Sequence, residues 1–219
     1  MGLKEKYTIK QIDYKTAMDI VVKNHYLHRK APCSFAFGLF EETETKNNLF
    51  DNEKCIGVVI YGTPSSAPLR RGICGDSEKD NVIELTRLWI KDETPKNTES
   101  YLIGNTLKLV DKEIIVSFAE IEQGHLGIVY QATNWIYTGL SAKRTNWTIE
   151  GVDKHCQTIA DKYTAIEIRE KYGDKFSLVD RPRKHRYVYF NCDKRRKKQL
   201  LKKLNYKIEP YPKSKSRVG

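Results

Sequence analysis

The chain has 219 residues and a net charge of +11, with ordinary apolar and charged fractions of 39% and 31%. That length is enough to bury a real core in one domain, and no apolar run approaches the roughly 20 residues of a membrane-spanning helix, so no membrane partner is expected. Met1–Tyr7 is charged and lacks the apolar stretch of a secretory signal, and the five cysteines (Cys33, Cys55, Cys74, Cys156, Cys192) contain no Cys-x-x-Cys pair, which points to a reducing cytoplasm and away from a disulfide framework or zinc knuckle.

In chain order, Tyr7–Asp13 reads as a short strand. Tyr14–Tyr26 reads as a helix, because Ala17, Met18, Val21, Val22 and His25 share one face at helical spacing. Cys33–Glu41 alternates as a strand, Glu42–Glu53 is a polar turn, and Lys54–Tyr61 is a more buried strand. Gly62–Asp80, rich in Gly, Pro and Ser, reads as a functional loop. Asn81–Ile90 is a strand, Ser100–Lys112 an amphipathic helix with Leu102, Ile103, Leu107, Leu109 and Val110 inward, and Ile114–Ala119 a fully buried strand. Gly124–Leu140 reads as a helix. Strands are expected near Thr145–Glu150, Tyr187–Asn191 and Tyr206–Glu209, with a basic helix, Asp193–Leu204, before the last, capped by Asp193 and followed by Asn205. This order predicts an α/β (α+β) fold: a mixed central sheet with helices on both faces.

The charge is unevenly placed. Arg181–Gly219 holds 15 Lys+Arg and 2 Asp+Glu, whereas the rest of the chain is close to neutral. Tyr187, Tyr189, Phe190, Tyr206 and Tyr211 lie among these cations. Cations hold phosphates by releasing counterions, and aromatic rings stack on unpaired bases; a solvated basic tail is the plainer alternative.

Three segments carry candidate chemistry. The helix starting after Lys91–Ser100 offers free amides and a dipole to a phosphate, with simple capping by Thr98 or Ser100 as the other reading. On a Gly124–Leu140 helix, Gly127, Tyr130, Asn134 and Tyr137 would share one face, and no Lys or Glu occurs from Gly124 to Ala142. That face borders a ligand or packs as core with hydrogen-bonded tyrosines. His25-Tyr26 and Tyr61 could ligate a metal, or His25 could simply sit at a helix C-terminus. Glu84 and Arg87, on the Asn81–Ile90 strand, need partners or a cleft; strict alternation places Glu84 with Thr86 and Arg87 with Leu85 on opposite faces.

Ser117-Phe-Ala-Glu120, Gln123-Gly-His-Leu-Gly127, Tyr130-Gln-Ala-Thr-Asn134 and Tyr137-Thr-Gly139 resemble the Mom family of phage DNA-modification proteins. Glu84-Leu-Thr-Arg-Leu-Trp89, Pro95–Ser100, His25-Tyr26 and Arg183-Lys-His-Arg-Tyr187 extend the resemblance from about residue 20 to residue 190. It implies one GNAT-like acyltransferase domain over residues 1–219, with 181–219 as its basic, DNA-contacting part. The implied activity is conversion of adenine N6 in double-stranded DNA to a carbamoylmethyl derivative. Acetyl-CoA is the implied donor, an iron ion the implied metal, and protection of phage DNA from restriction in the host cytoplasm the implied role. The GNAT pyrophosphate signature, Gln/Arg-x-x-Gly-x-Gly/Ala, does not occur.

In such a fold the donor lies between the Glu84–Trp89 strand and the Ser117 strand. The expected catalytic set is Tyr130, Ser117, Glu120, Asn134, Tyr137, Glu84 and Arg87, with a phenol as general acid. The expected cofactor set is Leu88, Trp89, Asn97, Thr98, Glu99, Ser100, Gly124, His125 and Gly127. His25, Tyr26 and Tyr61 are the expected metal ligands, and Arg183, Lys184, Arg186, Lys194, Arg195 and Arg196 the expected DNA contacts. Two alternatives stand: an ordinary N-acetyltransferase acting on a small amine, protein or RNA, or a non-catalytic DNA-binding module.

Overall fold

A computed structural model describes residues 2–41, 54–152 and 163–213. The predicted polar turn Glu42–Glu53 and Cys156 lie outside the described residues. Seven strands form the main sheet: β1 (Tyr7–Gln11), β2 (Phe35–Glu41), β3 (Lys54–Gly62), β4 (Val82–Ile90), β5 (Ile114–Glu120), β6 (Ile136–Leu140) and β9 (Lys184–Phe190), in the order β1-β2-β3-β4-β5-β9-β6. Neighbours are antiparallel except β4 and β5, which run parallel. β7 (Arg144–Ile149) and β8 (Phe176–Arg181) form a separate two-stranded ribbon. Seven α-helices among the described residues complete the fold: α1 (Leu3–Lys6), α2 (Tyr14–Asn24), α3 (Ala67–Cys74), α4 (Thr98–Thr106), α5 (Ile128–Ala132), α6 (Ala165–Tyr172) and α7 (Lys194–Lys203). No helix among the described residues is long and apolar enough to cross a membrane.

The expected mixed sheet with helices on both faces is what folds. Leu102 and Ile103 of α4 and Tyr130 of α5 pack on one face with Ile83, Leu85, Ile115 and Tyr187. The opposite face carries α2 through Ala17, Met18 and Val21 on Ala36, Val58 and Ile60. It also carries α3 and α7 through Ile73, Cys74 and Leu200 on Val116, Val188 and Phe190. A sheet with apolar side chains on both faces must be covered twice, and the helices do so.

Four expected elements come out differently. Gly62–Asp80 is not a loop. Ser66 caps α3, its Oγ accepting the Leu69 N–H, Pro68 sits in the first turn, and Gly75 ends the helix at φ 92°; Asp76–Asn81 follows as a 3₁₀ turn. The Ser100–Lys112 helix passes into a 3₁₀ turn at Leu107–Leu109, and the tighter winding leaves Leu109 56% exposed rather than inward. Gly124–Leu140 is not one helix. α5 stops at Ala132, Asn134 adopts a left-handed conformation at φ 60°, and the aromatic and β-branched run Trp135-Ile-Tyr-Thr138 continues as β6, the state those side chains favour. Tyr206–Glu209 is not a strand: its register with β6 is limited to the Glu209 N–H donating to the Tyr137 carbonyl.

Candidate active site

β4 and β5 pair only through Val82, Ile83 and Glu84 against Ile114, Ile115 and Val116. Beyond Glu84 they diverge. The Ser117 hydroxyl marks the fork by donating to the Leu85 carbonyl at 3.0 Å. The opening holds a cavity of about 1080 Å³ whose walls come from β4, β5, the loop before α4, the start of α5 and the end of α2.

On β4 the pairing with β3 slips by one residue: Ile60 faces Arg87 and Tyr61 faces Leu85, leaving Thr86 as the extra residue of a β-bulge. Its hydroxyl is anchored at 3.3 Å to the Ile60 carbonyl. One inserted residue reverses the alternation. Glu84 and Arg87 therefore share a face, against the strict alternation expected from the sequence, and both line the cavity. Burial pushes the Glu84 carboxyl up to about 7, partly offset by Lys184 and Arg87. Arg87 donates to the carbonyls of Thr86 and Lys30, while its Nε is buried without a partner.

The other wall is phenolic. Tyr130 is buried, its hydroxyl 2.8 Å from Ser117 Oγ. A carbonyl only accepts, so the single Ser117 proton goes to Leu85 and the Tyr130 O–H donates to Ser117. Burial pushes the Tyr130 phenol up to about 12, so it stays protonated near neutral pH. At the mouth, His25 stacks on Tyr26 at 4.3 Å and Tyr26 meets the His125 ring edge-on at 5.8 Å. Burial lowers His25 to about 4, so its ring is neutral near pH 7, and its Nδ1 accepts the Leu27 amide. Glu120 pairs with Lys184 across β5 and β9.

The expected catalytic set is thus mostly brought together: Glu84, Arg87, Ser117, Glu120 and Tyr130 line the cavity. Asn134 and Tyr137 do not, because the chain turns into β6 between them and α5; the Tyr137 hydroxyl bonds His185 Nδ1 at 2.8 Å. Of the expected cofactor set, Leu88, Trp89, Asn97, Glu99, Ser100, Gly124, His125 and Gly127 line the cavity. Thr98 is buried with its hydroxyl donating to the Pro95 carbonyl, a local turn bond rather than a ligand contact. The expected metal set does not converge. Tyr61 is buried in the core under α4, bonded to Thr106 Oγ1, and does not line the cavity, whereas His25 and Tyr26 do. No group of three His, Cys, Asp or Glu residues among those described could hold a metal ion.

The expected DNA contacts divide sharply. Lys194 and Arg195 are exposed on α7. Arg186 is buried, donating to Thr138 Oγ1 and its carbonyl, with the Tyr206 ring 3.4 Å beneath the guanidinium. Arg196 is tied to Glu78 and Glu113, Arg183 to the carbonyls of Ser141 and Leu140, and Lys184 faces the cavity with Glu120. Sequence reasoning missed the cavity role of Lys184; its only signal was the strand pairing that sets it opposite Glu120.

Gly127 has a definite physical requirement. Its φ is +71°, and a β-carbon there would stand 2.4 Å from the Tyr187 ring, so the close approach is to an internal tyrosine rather than to a ligand or a helix. That ring is pinned by donation to the Leu126 carbonyl and by the Gln131 amide. Gly127→Ala is expected to cost about 3 kcal/mol, from overpacking plus the left-handed backbone, and to lower Tm by roughly 6–12 °C in thermal unfolding. An unchanged Tm would mean that Tyr187 is free to move.

The Mom protein family model matches residues 6–213. A relative, the methylcarbamoylase Mom of Escherichia phage Mu, is 30% identical over 176 residues, covering 75% of this chain and 70% of that protein. Solved structures with a weaker likeness include the ribosomal-protein-S5-alanine acetyltransferase of Vibrio fischeri, at 10% identity and a TM-score of 0.46, covering 86% of this chain and 94% of that one. An N-acetyltransferase of Staphylococcus aureus matches at 11% identity and a TM-score of 0.43, covering 85% and 99%. Because the family match runs unbroken through β1, the bulged β4, the fork at Ser117 and on past α7, the chain belongs to the Mom protein family.

Proposed function

We propose that this chain is a phage DNA-modification enzyme of the acyltransferase type, converting adenine N6 to a carbamoylmethyl group with acetyl-CoA as a donor and so protecting phage DNA from restriction. The observation that carries this reading is the β4–β5 fork, with a carboxyl of raised pKa on one wall and a protonated phenol on the other.

The fork fits an acyl-CoA. Beyond Glu84, the β5-facing edge of β4 has no strand partner among the described residues, so its backbone at Leu88 and Trp89 is open to pair with an extended amide-bearing arm. α4 begins at Thr98 without a side-chain cap, which leaves first-turn amides beside Glu99 and Ser100 for a pyrophosphate. Arg87 Nε is a buried donor awaiting a partner. When bound, the thioester supplies an activated two-carbon unit and a thiolate leaving group.

The residues divide the proton work. Adenine N6 is a poor nucleophile because its lone pair is delocalised into the ring. Glu84, with a pKa near the working pH, takes the N6 proton as general base. Tyr130 gives a proton to the departing thiolate, Ser117 holding the phenol in place. Duplex adenine must leave the stack to enter, at a cost of a few kcal/mol, and the Tyr26 and His125 rings at the mouth offer it stacking surfaces. The carbamoylmethyl product joins N6 to the methyl carbon of the two-carbon unit and carries an amide nitrogen on its carbonyl. Forming the N6–CH2 bond from an N–H and a C–H needs a two-electron oxidant, and the thiolate leaves when a nitrogen donor takes the carbonyl. The overall reaction therefore needs both an oxidant and a nitrogen donor besides acetyl-CoA. No step is assigned to iron, since His25, Tyr26 and Tyr61 do not come together.

The test is direct. DNA from bacteria expressing the protein, digested to nucleosides, is expected to contain deoxyadenosine heavier by one carbamoylmethyl group in mass spectrometry. Unmodified deoxyadenosine from well-expressed, folded protein would overturn the reading.

A further inference from the structure

β6 and β9 are hydrogen-bonded neighbours in the sheet, and between them the chain leaves to form an arm containing β7, α6 and β8. The neck is fixed. The Ser141 N–H donates to the Lys184 carbonyl, the Lys184 N–H to Ser141 Oγ, and Arg183 Nε to the Ser141 carbonyl. Lys184 also lines the cavity. The arm therefore springs from the cavity mouth rather than from a remote edge.

Within the arm the β7–β8 ribbon runs from the pair Arg144–Arg181 at the neck to Ile149–Phe176 at the far end. Its small core, Ile149 with Ile168, Phe176 and Tyr172, is confined to the far end. From Ser177 to Arg181, β8 is exposed, and Leu178 is 66% exposed. Arg144 and Arg181 are direct cross-strand partners, both exposed, and neither forms an ion pair among the described residues. Like charges directly opposite each other destabilise a ribbon. An uncompensated pair at this position makes physical sense when an external polyanion sits on it.

We propose that the β7–β8 ribbon is a DNA-reading arm that enters the major groove of the substrate duplex, with Arg144 and Arg181 gripping the flanking phosphates and the duplex thereby set against the cavity mouth. This rests on the reading of the chain as a DNA-modifying enzyme. The B-form major groove, about 12 Å wide, admits a two-stranded β-ribbon, whereas the deep, narrow groove of duplex RNA does not. Val179, 44% exposed and on the same face of β8 as Arg181, is an apolar side chain suited to thymine methyl groups, which that groove displays. Of the six cations expected to hold DNA, Arg183, Lys184, Arg186 and Arg196 are bound internally or face the cavity.

The experiment uses the full chain with a blunt DNA duplex containing adenine, binding measured by fluorescence anisotropy over a range of salt, and thermal unfolding measured without DNA. Arg144→Gln with Arg181→Gln is expected to weaken duplex binding roughly tenfold at low salt and to make the log–log salt slope shallower by about two. Tm is expected to hold or rise, because a like-charge pair is gone. Arg144→Lys with Arg181→Lys is expected to restore the slope, and an RNA duplex of the same sequence to bind more weakly than DNA. An unchanged slope in the Gln variant, a fall in its Tm that accounts for lost binding, or equal affinity for the RNA duplex would overturn the proposal. A wild-type chain that binds no duplex at all would overturn the DNA-modification reading itself.

Discussion

Replacing Glu84 by Gln is expected to lower DNA modification by about 10²- to 10⁴-fold, the usual contribution of a positioned general base, and at the same time to make the protein more stable above neutral pH. The two effects have one cause. The Glu84 carboxyl stands at about 7 in the fold against 4.5 in the unfolded chain, because burial disfavours its charge. A raised folded pKa contributes stability that is fully present below pH 4.5 and is lost as pH rises through 7. Gln has no charge to bury, so the variant and the wild type should match near pH 4, and the variant should gain about 2 kcal/mol by pH 8 once the partial exposure of the site is allowed for. Wild-type modification should rise with pH through about 7 as the carboxyl becomes a base. Chemical denaturation at the two pH values, paired with nucleoside mass spectrometry, measures both. A variant that loses activity without the high-pH gain would remove Glu84 from the role of buried base.

Tyr130→Phe is expected to abolish detectable modification with the fold intact. The phenol makes one hydrogen bond, to Ser117, and Ser117 keeps its own bond to the Leu85 carbonyl when the phenol is gone. The stability cost is therefore that of one hydrogen bond, about 1 kcal/mol. The ring keeps its contacts with Trp135 and Tyr187, at centroid distances of 5.1 and 5.2 Å. Acetyl-CoA binding, read by its effect on thermal unfolding, should be little changed, because the lost group acts on the leaving thiolate. Full modification by Tyr130→Phe would eliminate it as the acid.

The strands of the sheet core were legible because their apolar runs are short and bounded by polar turns; β3, β4 and β5 lie within a residue or two of expectation. α3 was legible too, in Ser66 followed by Pro68, but Gly, Pro and Ser were read as loop formers instead of as cap and first turn. The stretch after Gly124 misled for a deeper reason. Tyr130, Asn134 and Tyr137 satisfy a helical spacing, and nothing local reveals that Asn134 breaks it by a left-handed turn. Tyr130 nonetheless reaches the fork, since Ser117 and Tyr187 gather it there from distant parts of the chain. Within the basic stretch, charge alone does not say which cations face inward. Arg186 is buried because both faces of β9 are covered, its own being the face of Val188 and Phe190, and Arg196 is drawn to a carboxylate, Glu78, brought alongside only by the packing of α7.

The extra residue on β4 has a bearing on how this segment tolerates change in length. Deleting Thr86 would leave every charged group and every hydrophobe of the strand in place, yet it would turn Arg87 and Trp89 to the face covered by α4 and Leu88 to the face covered by α2. The site would be dismantled with its acid, its cation and its phenol all still present. Insertions and deletions on this strand are therefore governed by a phase rule that substitutions escape: Glu84-Leu-Thr-Arg87 functions as an indivisible four-residue word, in which Thr86 is the spacer that keeps the acid and the cation in step.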